Sequence, residues 1–351
     1  WSRYMDRIIR WASSIILISL IMIFLGCTSS NQSEISRDAA AVKQQPGLVS
    51  SELVFTEAPF DECHASTIVE TESGLVAAWF GGTEESEPDV NIWQSCQLNG
   101  AWGPVEKSAS GAELSGRQVA CWNPVLFQPS GGALHLFYKV GDDEPDWWGE
   151  FKTSNDAGAT WSAAQRLADG FLGPIKNKPV QLKDGSILSP SSIEYYKIEH
   201  SDTSEVWLTH MERSVDNCAT WQKIGPLNDG NDFNVIQPSV LSYPDGSMQI
   251  LCRSENAERI IEAWSKDNGL TWSAMSATEL PNPDSGTDAV MLQDGRALLV
   301  YNHTTYGDGE LDRARLNVAV SENGKTWRAA FELENRPGEY SYPAVIQSRD
   351  G

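Results

Sequence analysis

The chain has 351 residues, enough for one large domain or two small ones, with 40% hydrophobic and 21% charged side chains. A formal net charge of −22 carries none of the basic footprint of a nucleic-acid binder, so nucleic acid is excluded as a partner and any acidic ligand needs a local basic pocket. The 14 tryptophans suit repeated turn anchors and carbohydrate platforms alike.

In chain order, the first element is a targeting segment. Met5 reads as the start, with Trp1–Tyr4 as extra residues ahead of it. Arg7 and Arg10 precede an apolar run, SSIILISLIMIFLGC (13–27), that ends in Gly26-Cys27. The run resembles a bacterial lipoprotein signal, with Phe24 where Leu is commoner; the competing reading is an ordinary signal peptide or membrane anchor. Cleavage would leave Cys27 lipidated, residues 28–47 as a polar tether, and the protein anchored to a membrane of the bacterial cell envelope, in the periplasm or on the outer surface. The folded domain is then 48–351. It holds Cys63, Cys96, Cys121, Cys218 and Cys252, an odd count without metal-ligand spacing, read as buried small hydrophobes. No metal or cofactor is expected.

Repeats organise this domain. TSNDAGATWS (153–162), SVDNCATW (214–221) and SKDNGLTWS (265–273) share the pattern S-x-D-x-G-x-T-W, with Cys218 in place of one glycine. Asp accepts backbone N–H bonds within its own turn, Gly allows positive φ, and Trp pins the turn by burial. The tryptophans fall 60 and 51 residues apart, and degenerate copies ending at Trp102 and Trp327 extend the ruler. A second ruler is a turn glycine ahead of an apolar strand, at Gly74, Gly132, Gly185, Gly246 and Gly295, with Gly351 as a sixth. Another short strand precedes each glycine, and long helical periodicity is absent. Four short strands per repeat of this length predict an all-β fold, a six-bladed β-propeller whose last blade is cut short at the C-terminus. SELVFTE (51–57) is the expected closing strand.

The inner strands of such a ring converge on its axis. Taking the residue just before each inner strand gives Ala65, Asn123, Lys178, Gln237, Asp288 and Tyr342, five of them polar, with His64 beside the first. Polar groups converging over an apolar ring suit a small-ligand site.

The S-x-D-x-G-x-T-W turns resemble the Asp-box (BNR) repeats of the sialidase, or neuraminidase, superfamily, and the likeness covers nearly everything after residue 50. It implies a site in which three arginines hold a substrate carboxylate, a Tyr paired with Glu is the nucleophile, and an Asp is the acid/base. Seven residues after a turn glycine, DGSMQILCRS supplies Arg253 as the second arginine. RARLNVAVSENGKTW supplies Arg313 as the third, with Arg315 as the alternative. The Tyr nine residues before the last glycine is Tyr342, with Tyr340 less well in register. The loop FGGTEESEPDVNIW offers Asp89, with Glu84, Glu85 and Glu87 nearby. Two positions depart from the pattern: His64 stands where the first arginine belongs, and Gln237 where the Tyr-activating Glu belongs. Gln cannot take a proton, and two guanidiniums rather than three remain for the carboxylate.

The resemblance therefore implies an exo-α-sialidase-like glycoside hydrolase that removes a terminal acidic sugar from a glycan. Tyr342, Asp89 and Gln237 hold the catalytic positions; Arg253, Arg313, His64, Lys178, Asp288 and Asn123 are substrate-binding candidates. The two departures leave open a uronate-directed polysaccharide lyase and a non-catalytic glycan-binding lipoprotein.

Overall fold

A computed structural model describes residues 47–113, 115–199, 202–305 and 313–351. Residues 53–195 and 206–351 form one compact unit, and 196–199 and 202–205 are extended strand. The described residues fold as five antiparallel sheets in chain order. Blade I holds β1 (Glu62–Glu70), β2 (Leu75–Gly82), β3 (Asn91–Leu98), β4 (Ala101–Trp102), β5 (Glu106–Ala112) and β6 (Gln118–Val119). Blade II holds β7 (Cys121–Phe127), β8 (Leu134–Val140), β9 (Trp148–Ser154) and β10 (Gln165–Arg166). Blade III holds β11 (Val180–Gln181), β12 (Ile187–Glu199), β13 (Asp202–Ser214) and β14 (Gln222–Ile224). Blade IV holds β15 (Val235–Ser242), β16 (Met248–Ser254), β17 (Arg259–Ser265) and β18 (Ser276–Pro281). Blade V holds β19 (Asp288–Met291), β20 (Ala297–Asn302), β21 (Leu316–Ser321) and β22 (Arg328–Glu334).

Five sheets stand where six were expected. The residues of the sixth position, 340–351, form no strand, yet they bridge blades V and I. Val345 N donates to Asp288 Oδ2 at 2.8 Å and Gln293 N to Gln347 Oε1 at 2.7 Å on the blade V side. Ser66 Oγ donates to Tyr342 O at 3.1 Å and Arg349 N to Glu70 Oε2 at 2.8 Å on the blade I side. Residues 51–57 are not a strand either; Phe55 instead stacks on Trp79, ring centroids 5.0 Å apart. Further stitches join neighbours round the ring: Leu126 N to Thr67 Oγ1 (3.0 Å), Ser130 N to Gln181 Oε1 (2.8 Å) and Asn177 Nδ2 to Gln237 O (2.8 Å).

The outer turns have the geometry their sequence calls for. Asp156 Oδ1 accepts from Ser154 Oγ (2.7 Å) and Thr160 N (2.8 Å), while Ser154 Oγ accepts from Gly158 N at 2.9 Å. Asp216 and Asp267 repeat the arrangement. Gly158 and Gly269 sit at φ 88° and 78°, where a Cβ is strained. Cys218 holds the same place at φ 71° with its N–H still 2.9 Å from Ser214 Oγ, so the turn keeps its form and carries the strain. The five described cysteines are all free, and Cys121, Cys218 and Cys252 are buried, whereas Cys63 is exposed.

Candidate functional site

The innermost strands of blades I, II and IV carry an irregularity at the leading end. Pairing slips between His64 and Thr67, between Trp122 and Val125, and between Ile236 and Ser239. At each slip one residue takes a left-handed backbone: Ala65 (φ 57°), Asn123 (38°) and Gln237 (54°). Lys176 (68°) and Tyr342 (53°) do the same in blade III and in the segment after blade V. Each lies nine residues before its turn glycine, so these five are structural equivalents. The sixth equivalent is Gly286. A Cβ there would come within 2.9 Å of Gln237 Oε1 and 3.3 Å of the Tyr342 ring, which explains why no side chain stands at that point. Such a bulge re-aims a side chain out of the ladder, and left-handed non-glycine residues repeated in this way gather at sites where geometry matters more than stability.

At the centre stands the Tyr342 hydroxyl. Arg253 Nη1 and Gln237 Nε2 both donate to it, the latter at 3.2 Å. Arg253 is oriented by Asp284, whose Oδ1 accepts from Nε at 2.7 Å, and its guanidinium lies 4.8 Å from the Trp207 ring centre. Arg313 donates through Nη2 to Asp284 O at 2.7 Å and through Nη1 to Glu339 Oε1 at 2.9 Å. The His64 ring lies against Tyr342, centroids 4.2 Å apart. Lys176 Nζ donates to Asn177 Oδ1 (3.1 Å), Thr287 O (2.8 Å) and Pro343 O, tying blades III and V to the peptide that follows Tyr342. Gln237 Oε1 is buried and, among the described residues, has no hydrogen-bond partner, so it can accept from a ligand.

The electrostatics follow from burial among cations. Burial raises the Tyr342 phenol above its ordinary value, while Arg253, Arg313 and the Gln237 hydrogen bond oppose the rise. Burial also pushes His64 down to about 4, with Arg313, Arg253 and Lys176 assisting against Glu339, so the imidazole is neutral at physiological pH. Burial brings Lys176 down to about 7. Burial works against the Arg253 charge, but Asp284 and Tyr342 hold its pKa above the ordinary value. Glu339 falls below the usual carboxylate range, burial being outweighed by Arg313 and the Ser341 hydroxyl. Among the described residues no cluster of three or more His, Cys, Asp or Glu side chains is arranged to hold a metal ion.

The structure thus brings together His64, Gln237, Arg253, Arg313 and Tyr342, with Asn123 buried in the same ring of bulges. It places three other candidates elsewhere. Lys178 Nζ is committed to Asp288 at 2.8 and 2.9 Å and to Ala289 O at 3.0 Å, and Asp288 also accepts from Val345 N. That pair fastens blade III to blade V; the bulge residues in those blades are Lys176 and Gly286, two positions earlier. Asp89 is exposed and folded back on its own loop, accepting from Thr83 N (3.1 Å) and Thr83 Oγ1 (2.5 Å), which depress its pKa. The loop carboxyl whose charge bears on Tyr342 is Glu85, raised above its usual range by partial enclosure and by Glu339, against Arg313 and Arg253. Arg315 and Tyr340 contribute backbone carbonyls that accept from Asn302 Nδ2, at 3.1 and 2.9 Å. Cys27 and the leader lie outside the described residues. Sequence reasoning missed Asp284, Glu339 and Trp207, which carry no repeat mark; the nine-residue offset contains the signal that sets Lys176, rather than Lys178, in the ring.

Comparison with known proteins fits this geometry. The model of the BNR repeat-like domain matches residues 73–351. The chain belongs to that family. Its propeller has the fold seen in solved sialidases. A search of curated proteins finds no match. Among solved structures, this BNR-repeat chain is similar to a protein of unknown function from Dyadobacter fermentans, with 18% identity and a TM-score of 0.63 over 81% of this chain and 87% of that one. It is similar to Trypanosoma rangeli sialidase, with 15% identity and a TM-score of 0.63 over 83% of this chain and 51% of that one, so it spans about half the length of that enzyme. A leech intramolecular trans-sialidase, solved with 2,7-anhydro-Neu5Ac, shares 12% identity and a TM-score of 0.65 over 87% of this chain and 66% of that one. At these identities the likeness is one of fold.

Proposed function

We propose that this BNR-repeat protein is an exo-acting glycoside hydrolase that removes a terminal acidic sugar from a glycan. The observation that carries the reading is the meeting of Arg253 and Tyr342, from β16 and from the segment after blade V, beside a second guanidinium at Arg313. The two guanidiniums supply the local positive site that a chain of net charge −22 needs to hold a carboxylate. Tyr342 would attack the anomeric carbon, its phenolate favoured by the Arg253 and Gln237 donors. Glu85 takes the acid/base position expected of Asp89, because it is the carboxyl of the same loop whose charge bears on Tyr342, whereas Asp89 is turned back on Thr83. Gln237 cannot accept the Tyr342 proton; neutral His64, in ring contact, is the neighbour that can. Anchoring through a lipidated Cys27, at the bacterial envelope, belongs to the same proposal.

One observation favours a second reading. A neutral imidazole and a tyrosine side by side near two arginines can also abstract the proton next to a uronate carboxylate and expel the leaving oxygen, as a lyase does. A single experiment separates the readings. The full chain is incubated with fluorogenic sialosides and with uronate polymers, following released acidic sugar and ultraviolet absorbance of an unsaturated product. Free acidic sugar without absorbance supports the hydrolase; absorbance supports the lyase and overturns it. Calorimetric binding of these glycans without either product leaves a glycan-binding protein.

A further inference from the structure

Tyr342 keeps a left-handed backbone, φ 53°, which a bulky residue holds only where its surroundings impose it. Ala65, Asn123 and Gln237 do the same inside strands, where ladder pairs on either side hold them. Tyr342 lies in residues 340–351, which form no strand, so its hold comes from elsewhere. Ser66 Oγ donates to Tyr342 O at 3.1 Å, and Val345 N donates to Asp288 Oδ2 at 2.8 Å. Between those two points the chain is grasped by the Lys176 ammonium, which donates to Pro343 O.

The other two donors of that ammonium are also placed. They reach Thr287 O at 2.8 Å and Asn177 Oδ1 at 3.1 Å, so all three N–H groups of a buried lysine are used. Thr287 follows Gly286, where the missing side chain makes room for Gln237 and the Tyr342 ring. Asn177, itself buried, donates through Nδ2 to Gln237 O at 2.8 Å. Gln237 in turn donates through Nε2 to the Tyr342 hydroxyl at 3.2 Å. A closed circuit therefore runs from Pro343 through Lys176 and Asn177 to Gln237, and back to Tyr342 at its reactive end.

Burying an ammonium is costly, and an apolar chain of the same length would fill the space without that cost. It could not fix oxygens from three separate stretches of chain, as a charged donor with three N–H groups does. The charges that bear on Lys176 are Asp288, which favours its protonated form, and Lys178, which opposes it. Its own charge works with Arg313 and Arg253 against protonation of His64.

We propose that Lys176 is the positioning residue of the hub: with Asn177, its ammonium fixes where the Tyr342 hydroxyl stands against Gln237 and His64. The consequence for turnover rests on the hydrolase reading above; the placement itself does not.

The test reads the full chain by NMR without ligand, with ¹³C at tyrosine Cζ and histidine Cε1. Tyr342→Phe and His64→Gln assign the two signals. In Lys176→Met the Tyr342 signal should shift, because the donors at its hydroxyl move. The His64 titration midpoint should rise by roughly half a unit or more, because a cation that opposes its protonation is gone. Asn177→Leu keeps the ammonium and cuts the link to Gln237 O; it should also move the Tyr342 signal, and it decides the question if Lys176→Met does not fold. Asp267→Ala, which weakens an outer turn, is the control for lost stability and should move neither signal. With fluorogenic sialosides or glucuronides, kcat should fall about a hundred-fold in Lys176→Met with KM little changed, the mark of a misplaced nucleophile. Signals that stay in place in both hub variants, signals that move as far in Asp267→Ala, or turnover that survives unchanged in Lys176→Met would overturn the inference. A wild type that turns over neither sugar counts against the hydrolase reading alone, and the NMR comparison still decides the role of Lys176.

Discussion

Lys176 allows the ionic design of the hub to be tested without knowing the ligand. Its ammonium is buried and has a pKa of about 7 in the fold, against an ordinary value of 10.5. Between those values the unfolded chain carries a proton that the folded chain does not. Unfolding then takes up a proton, and stability rises with pH across the window; below about 7 both states are protonated and this contribution is flat. The slope is about 1.4 kcal/mol per pH unit, or roughly 5 kcal/mol across the whole window. Lys139, also at about 7, adds a parallel slope, and the growing negative charge of the chain opposes both. A difference measurement removes those shared effects. Urea denaturation of wild type and Lys176→Met, from about pH 7.5 to about pH 9.5, should show the wild type gaining roughly 2–3 kcal/mol on the variant. A difference that stays constant over that range would show that Lys176 titrates normally, and the hub would then not be the dry, cation-lined place the geometry implies.

Other perturbations separate stability from site geometry. Gly286→Ala should lower the denaturation free energy by only about 1 kcal/mol, because Gln237 can shift, yet abolish acid-sugar binding by pushing on Tyr342. Retained binding would refute the packing account. Asp267, drawn down to about 2 by Thr271 and Ser265, contributes stability present above its unfolded value and lost as pH falls through about 2. Asp267→Ala should therefore melt lower than wild type at neutral pH, with the gap closing near pH 2 in acid-titrated melts. Gln237→Glu alone should destabilise by placing a carboxylate in a 2%-exposed position, and His64→Arg in the same chain should restore part of the loss. A thermodynamic cycle over the four proteins should give a coupling of about 0.5–3 kcal/mol; strict additivity would show that the two positions do not sense each other.

The sequence exposed the scaffold because the scaffold is repetitive. Asp, Gly and Thr at fixed spacing are each demanded by a turn hydrogen bond or a positive φ, so three copies carry the mark, with Cys218 the one replacement among them. Arg253 and Tyr342 were legible for the same reason, through fixed offsets from Gly246 and Gly351. The strand register misleads in blades III and V, where it points to Lys178 and Asp288 in place of Lys176 and Gly286. In blades I, II and IV the inner strand runs through the bulge, so the bulge residue directly precedes the apolar run. In blade III the strand is only Val180–Gln181, and in blade V it begins at Asp288, after the bulge position. Strand pattern then points two residues too far along, whereas the distance to the turn glycine stays at nine. Asp284 and Glu339 left no trace of either kind, since they orient arginines from loops that no repeat constrains.

The two departures from the sialidase pattern, His64 and Gln237, acquire a common explanation once both are seen against Tyr342. Replacing an arginine by a neutral imidazole removes one positive charge; replacing a glutamate by glutamine removes one negative charge. Around a buried phenol the sum is unchanged, and it has to be, because an uncompensated charge in such a place costs several kcal/mol. On the proposed hydrolase reading, what changes is the location of the proton acceptor. It moves from the position of Gln237 in blade IV to that of His64 in blade I, and burial among Arg253, Arg313 and Lys176 keeps that imidazole unprotonated down to about pH 4. The paired replacement, the left-handed backbone at five equivalent positions, and the empty place left at Gly286 for the Tyr342 ring are the features on which the proposed action at a carboxylate-bearing sugar draws.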